Sequence, residues 1–212
     1  MILVGQYDSP YVRRVAITLH HYGMPFERNP ISVFADARDM ARINPLVRIP
    51  SLVLDDGEVL FDSAAILDHL DEVAGPQKAL TPRFGAERRH VLQLVAVATG
   101  AIDKMGAYVY ERHFHKPGAV NEEWAERCKS QFLGGMNYLE RKLEEDWLFG
   151  ERFTQADLTA AALVGYVKLR VPEVSIDLFP CLARLSETCE AMPAFKAAVP
   201  GPDEVMPPAD KI

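Results

Sequence analysis

The spacing of apolar positions changes character near residue 75. Ile2 to Val4 is a short apolar run ending at Gly5, the pattern of a buried strand. From Pro10, the residues Val12, Val15, Ala16 and Leu19 recur at helical spacing. That pattern stops at Tyr22-Gly23, where glycine suits a C-cap. Phe26 to Val33 reads as a second strand, interrupted by Pro30. Ser51 to Leu54, then Asp55-Asp56-Gly57, then Glu58 to Phe61 predict a hairpin, because Asp-Gly supplies the positive φ that its turn needs. Ser63 is expected to cap a helix carrying Ala65, Ile66 and Leu70. The order is βαβ followed by ββα, a small mixed sheet with helices on it.

Residues 74 to 85, AGPQKALTPRFG, hold two prolines, two glycines and no periodicity. Beyond them strand signals nearly vanish. Helical patterns run over Ala86 to Phe114, Glu122 to Leu148, Thr154 to Leu169 and Leu178 to Met192. From Pro200 a proline-rich tail is expected to pack as an irregular extension. The chain therefore divides into an α+β domain over 1–75, a linker over 76–85 and an all-α domain over 86–212.

Composition narrows the function classes. Of 212 residues, 49% are hydrophobic and 25% charged, which is globular usage and excludes disordered and collagen-like chains. Lys and Arg number 23 against 30 Asp and Glu, a net charge of −7, a poor balance for general nucleic-acid or membrane binding. The sequence shows neither an 18-residue apolar stretch nor a secretory signal, so no membrane span is expected. The three cysteines, Cys128, Cys181 and Cys189, form no CxxC pair and are odd in number, which fits a reducing cytoplasm.

Three short segments are candidates for chemistry. Ser9-Pro10 at a helix start is an ordinary N-cap with proline at N1; the same hydroxyl is placed to donate to an anion at the positive helix end. Asn44-Pro45-Leu46-Val47-Arg48-Ile49-Pro50 precedes the hairpin. A proline entering a strand is ordinarily trans and structural. A cis Ile49-Pro50 bond would instead turn the Ile49 backbone outward, leaving its N–H and C=O to a peptide-like ligand. Asp62-Ser63 reads as a cap, and equally as a site for an α-amino acid end. There Ser63 would hold a carboxylate and Asp62 would face an ammonium. The first 65 residues also gather Arg13, Arg14 and Arg48, a local cationic group expected to attract an anion.

These segments, in this order, resemble the cytosolic glutathione transferase family: SPYVRRV after the first strand, NPLVRIP before the hairpin, DSAAILDHLDE after it, then an all-helical domain. The Ser-Pro-aromatic start resembles the tau class and related bacterial members, whose catalytic serine matches Ser9. The resemblance implies a thioredoxin-like first domain with a cis bond at Pro50. It implies that Ile49 pairs with the cysteinyl unit of glutathione, that Asp62 and Ser63 bind its γ-glutamyl end, and that Arg48 reaches its glycine carboxylate. Many members have Lys at the Arg48 position, and His69 stands where many have Tyr. Tyr7, near the end of the first strand as in the tyrosine-type classes, is the second-choice catalytic donor. Asp103 resembles an acidic position near the glutamyl end, with a solvated helix charge as the plainer alternative. Tyr11, Tyr108, Arg112 and Tyr166 are candidates for a hydrophobic electrophile site. The resemblance also implies a homodimer, with glutathione as co-substrate and no metal.

One hydroxyl suffices energetically. Bringing a thiol from about 8.5 to below 7 requires about two pKa units, or roughly 2.7 kcal/mol. A hydrogen bond to a charged group contributes about 1.5–3 kcal/mol and a helix N-terminus about 0.3–1 kcal/mol. The expected activity is conjugation of the glutathione thiolate to small hydrophobic electrophiles. Alternatives are a glutathione-dependent isomerase or peroxidase, or a non-enzymatic binding module on the same fold. No cysteine precedes Cys128, so the reactive sulfur is expected to be glutathione's own. Thr154-Gln155-Ala156-Asp157 matches a capping box with Phe153 and Leu158 as a staple. His113 and His115 have no third ligand nearby, and zinc is not expected.

Overall fold

The opening apolar run forms β1 (Ile2–Val4), and Pro10–Tyr22 forms α1. Ser9 caps α1 at its start and Gly23, in the left-handed region at φ 67°, closes its end. These coordinates are a computed structural model that describes residues 1–116, 118–204 and 206. The chain divides into two units, Met1–Leu80 together with the segment from Glu190, and Thr81–Cys189.

In the first unit the four strands order as β2-β1-β3-β4. β2 (Glu27–Asn29) runs parallel to β1, while β3 (Ser51–Val53) and β4 (Val59–Phe61) pair antiparallel. The βαβ and ββα halves expected from the sequence are both present. β2 covers less than Phe26 to Val33, since proline at position 30 cannot donate to the ladder. The hairpin turn spans residues 54–58, closed by Leu54 N donating to the Glu58 carbonyl at 2.8 Å, with Gly57 at φ 92°. Helix α2 (Ala37–Ile43) was not expected: only Met40 of its seven residues is buried, too little for a visible apolar period. Helix α3 (Ser63–Ala74) starts one residue differently from the reading of Ser63 as its cap. Asp62 is the N-cap and Ser63 is the first helical residue. Leu3, Val4, Val12, Val15, Ile17, Leu19, Leu52, Ile66 and Leu70 form the core between sheet and helices.

The segment after α3 is anchored to this unit. Tyr22 Oη donates to Asp71, and Leu80 N donates to Tyr22 Oη at 2.7 Å. The short helix α8 (Pro193–Lys196) packs against α1. Residues 200–204 form neither helix nor strand, as expected for the tail; the rest of that expectation, apart from residue 206, lies outside the described residues.

The second unit is helical. Helix α4 (Gly85–Phe114) buries Val91, Leu94, Ala98, Ala101, Ile102 and Met105 at helical spacing. Against it lies α5 (Glu122–Lys142). A Cβ at Gly135 would stand 2.9 Å from the Ala101 Cβ, so glycine permits this close helix approach. Helix α5 ends at Lys142, six residues before the expected Leu148. Glu144, Glu145 and Asp146 follow, and three carboxylates oppose the negative end of a helix.

Helix α6 (Gln155–Arg170) is buried on all sides over residues 155–164. Its capping box is complete. Asp157 accepts from Thr154 N at 2.7 Å and from Thr154 Oγ1 at 2.8 Å, and also from Leu148 N at 2.6 Å. Burial pushes the Asp157 carboxyl above its usual range, against the lowering effect of these hydrogen bonds. The Phe153 ring meets Trp147 edge-on, at a centroid distance of 5.1 Å. The last pattern is shorter than Leu178 to Met192: a 3₁₀ turn at Ile176–Leu178 precedes α7 (Pro180–Glu190). Glu140 of α5 accepts from Cys181 N and Leu182 N, each at 2.9 Å, and so satisfies the α7 N-terminus.

Candidate functional site

The first unit brings the end of β1, the start of α1 and the loop before β3 into close contact at Gly5. Its φ is +130°, and a Cβ there would lie 2.6 Å from Val12 Cγ2 and 2.8 Å from Ile49 Cβ. Glycine is required on both counts, backbone conformation and space. Gly5 N donates to the Asn29 carbonyl at 2.8 Å, which fixes the strand end from the other side.

Ser9 follows a turn closed by Ser9 N donating to the Gln6 carbonyl at 3.2 Å. Its Oγ accepts from Val12 N at 3.5 Å, the outer limit of a hydrogen bond. The cap is therefore stretched, and its acceptance leaves the hydroxyl proton uncommitted. Ser9 is half-buried at the positive end of a 13-residue helix, a position that favours a negative partner.

The Ile49-Pro50 bond is cis, as the family resemblance implied. Among the described residues no hydrogen bond engages the Ile49 N–H or C=O, so both remain available to an extended ligand. The loop is held by a residue that sequence reasoning gave no role. Asn44, 2% exposed, donates from Nδ2 to the Arg48 carbonyl at 2.8 Å and accepts from Leu46 N at 2.9 Å. Its sequence signal was Asn before Pro, an ordinary turn start. Val47 adopts φ 50° within this loop. Arg48 is exposed.

At the next helix start, Asp62 adopts φ 56° and accepts from Ala64 N at 2.9 Å. This left-handed conformation is rare outside glycine and marks a constrained position. Asp62 is exposed, whereas Ser63 is 3% exposed. Arg14, 2% exposed, is pushed down to about 10 by burial, and the charges of Tyr11 and Asp62 counter that effect.

The expectation for one cation changes. Arg13 is no free attractor for an anion: Nη1 and Nη2 donate to the Glu190 carboxylate at 2.8 and 2.7 Å, and Nε donates to the Ala198 carbonyl at 3.0 Å. This bidentate pair neutralises its charge. Tyr7 is 1% exposed, and its buried hydroxyl has no hydrogen-bond partner among the described residues. Burial raises its pKa, Arg28 opposes that, and Glu204 adds to it.

The remaining candidates lie on the second unit, except Tyr11, which is half-buried in the first turn of α1. Asp103 is exposed on α4, and Tyr166 is half-buried on α6. Tyr108 is 5% exposed, and its Oη lies 3.2 Å from Glu173 Oε1. The Arg112 guanidinium stands 5.2 Å from the Tyr108 ring centroid and also pairs with Glu122 at 2.6 Å. Tyr108 and Arg112 are thus engaged with each other and with carboxylates. Among the described residues no group of three or more His, Cys, Asp or Glu could hold a metal ion. No helix there is long and apolar enough to cross a membrane.

The model of the glutathione S-transferase N-terminal domain matches residues 3–78, and that of the C-terminal domain matches residues 122–196. The GST-like protein YibF of Escherichia coli is 31% identical, over 94% of this chain and 98% of that protein. A maleylacetoacetate isomerase of Pseudomonas aeruginosa is 28% identical, over 94% of this chain and 96% of that protein. A glutathione S-transferase crystal structure from Methylobacterium radiotolerans, complexed with glutathione sulfonate, superposes with a TM-score of 0.90. It is 31% identical and covers 97% of both chains. The resemblance to the tau class is corrected accordingly: the chain is a serine-type member standing with bacterial GST-like proteins and maleylacetoacetate isomerases. By fold, motif order and these similarities, the chain belongs to the glutathione S-transferase family, a family of enzymes.

Proposed function

We propose that the chain binds glutathione on its first unit and that the Ser9 hydroxyl stabilises the glutathione thiolate. The stretched Ser9 cap carries the reading: a hydroxyl at a helix N-terminus, accepting weakly at 3.5 Å, has its proton to give. The unpaired Ile49 backbone supports it as the partner of the cysteinyl unit. Asp62 and Ser63 suit the γ-glutamyl end, and exposed Arg48 suits the glycine carboxylate. The structure from Methylobacillus flagellatus, which has glutathione bound, is 28% identical with a TM-score of 0.89, and this favours the same ligand here. Burial of the Tyr7 hydroxyl favours Ser9 over Tyr7 as the donor.

The reaction best supported is addition of the thiolate to an electron-poor carbon–carbon double bond. The sulfur bonds to the β-carbon, and the π electrons move onto the conjugated carbonyl as an enolate. Protonation of the enolate would yield a conjugate. Rotation about the new single bond, followed by expulsion of the thiolate, would instead yield the geometric isomer with glutathione unchanged. The maleylacetoacetate isomerase relatives favour the second course. A cis-configured unsaturated keto acid incubated with the protein and catalytic glutathione separates the courses. Isomerisation gives many turnovers per glutathione; conjugation consumes glutathione one for one. Absence of glutathione binding by calorimetry refutes the whole reading. A homodimer belongs to the same proposal, and a monomeric mass by light scattering removes that part.

A further inference from the structure

The C-terminal segment reaches the turn that presents Ser9. Glu204 is 8% exposed, and its carboxylate accepts three hydrogen bonds within the first unit. Oε1 accepts from Tyr7 N at 3.1 Å and from Arg28 Nη2 at 2.5 Å, while Oε2 accepts from Gly201 N at 2.6 Å. The Arg28 guanidinium also lies over the Tyr7 ring, 3.5 Å from its centroid. Tyr7 is thereby gripped twice, at its amide by Glu204 and at its ring by Arg28. Strand β1 ends at Val4, so no ladder partner serves the Tyr7 amide; without Glu204 a buried N–H would lose its acceptor.

The same segment holds the other side of Ser9. Arg13 N donates to the Ser9 carbonyl at 2.9 Å, and the Arg13 side chain is bound by Glu190 and the Ala198 carbonyl. Residues from 190 onward therefore fix positions two before and four after the serine. A hydroxyl that must meet a sulfur at hydrogen-bond distance tolerates only about 0.5 Å of drift. The turn carrying it is closed by Ser9 N donating to the Gln6 carbonyl at 3.2 Å.

We propose that Glu204, paired with Arg28, is a positioning residue for Ser9: its buried carboxylate fixes the Tyr7 amide and so the turn from which the hydroxyl is presented. The inference rests on the reading of Ser9 given above. It assigns the tail a part in setting the thiolate, although Glu204 lies 195 positions from Ser9 in sequence.

The test uses the full-length protein with glutathione, reading the bound thiol by its ultraviolet thiolate absorbance against pH. Glu204→Ala is expected to raise the bound-thiol pKa by about 0.5–1 unit. It should lower kcat/KM about 3–10-fold at pH below that pKa, with the loss recovered at higher pH. Leaving Arg28 unpaired would by itself favour the thiolate and shift the pKa down, so the sign separates positioning from charge. Glu204→Asp keeps the charge and withdraws the carboxylate by one methylene; an upward shift of about half a unit is expected even if the alanine variant folds poorly. Glu204→Gln keeps length and one acceptor oxygen for the Tyr7 amide while freeing Arg28 as alanine does, so its bound-thiol pKa should stay at or below the wild-type value. A downward or absent shift in both the alanine and aspartate variants overturns the proposal, as does a glutamine variant that rises as far as alanine. Ser9→Ala measured in parallel separates the two layers. If it too leaves the pKa unchanged, the reading of Ser9 falls; if it alone raises the pKa, only the role of Glu204 falls.

Discussion

Gly5 concentrates the geometry of the site in one backbone position, and Gly5→Ala tests it. Two costs add there. An L-residue at φ +130° is strained by about 1–3 kcal/mol. The new methyl would also sit 2.6 Å from Val12 Cγ2 and 2.8 Å from Ile49 Cβ. Neither contact is the loose end of a long side chain, and Val12 is fully buried, so relaxation costs a further 1–3 kcal/mol or about that. The expected loss is about 2–6 kcal/mol, a large part of an ordinary domain's 5–15 kcal/mol or so. In urea, with m of about 2–3 kcal/mol per molar, the midpoint should fall by about 0.7–3 M. Gly57→Ala is the control: φ is 92° but nothing lies within 4 Å of the added Cβ. It should cost only about 1–2 kcal/mol. Because the clash pushes on Ile49, glutathione affinity should fall with Gly5→Ala and not with Gly57→Ala. Equal midpoint losses for the two variants would refute the close-approach argument. So would unchanged glutathione affinity in a folded Gly5→Ala protein.

Further outcomes follow from single side chains. Asp157→Ala strips the acceptor from three buried donors, and should cost about 3–5 kcal/mol by denaturant titration. Burial holds the Asp157 proton more tightly in the folded chain, so this group's contribution is fullest below the ordinary carboxylate range and is lost as pH rises through its elevated folded value. The stability gap between wild type and Asp157→Ala should therefore be wider near about pH 4 than near about pH 7. Glu140→Gln should lower the Cys181 thiol pKa, seen as faster alkylation at fixed pH, because the hydrogen bond with Glu140 is the largest cause holding it up. Asp62→Ala should weaken glutathione about 10-fold or more, and the difference should vanish with an analogue lacking the γ-glutamyl amine.

What the sequence disclosed depended on how local each cause was. Helix α1 was legible to the residue because its start, Ser9-Pro10, and its stop, Gly23, are both written within it. The α6 capping box was legible for the same reason, since Thr154 and Asp157 are three apart. At α3 the cap moved from Ser63 to Asp62 because two adjacent residues both suit that role. Helix α2 was invisible with one buried side chain, and α5 ended early where acidic residues outweighed apolar spacing. Arg13 shows the limit most clearly. Its charge looked available, yet Glu190, 177 positions away, neutralises it. Glu204 was unreadable likewise: its partners Tyr7 and Arg28 lie at the far end of the chain. Pairings that close long loops leave no period or spacing to detect.

The bound-thiol pKa in wild type, Ser9→Ala and Tyr7→Phe bears most directly on the proposed chemistry. A lost hydrogen bond to the thiolate is worth about 1.5–3 kcal/mol, or about 1–2 pKa units. The expected result is a rise of that size in Ser9→Ala, with Tyr7→Phe close to wild type. A wild-type value kept by Ser9→Ala, together with a rise in Tyr7→Phe, would contradict the assignment of Ser9.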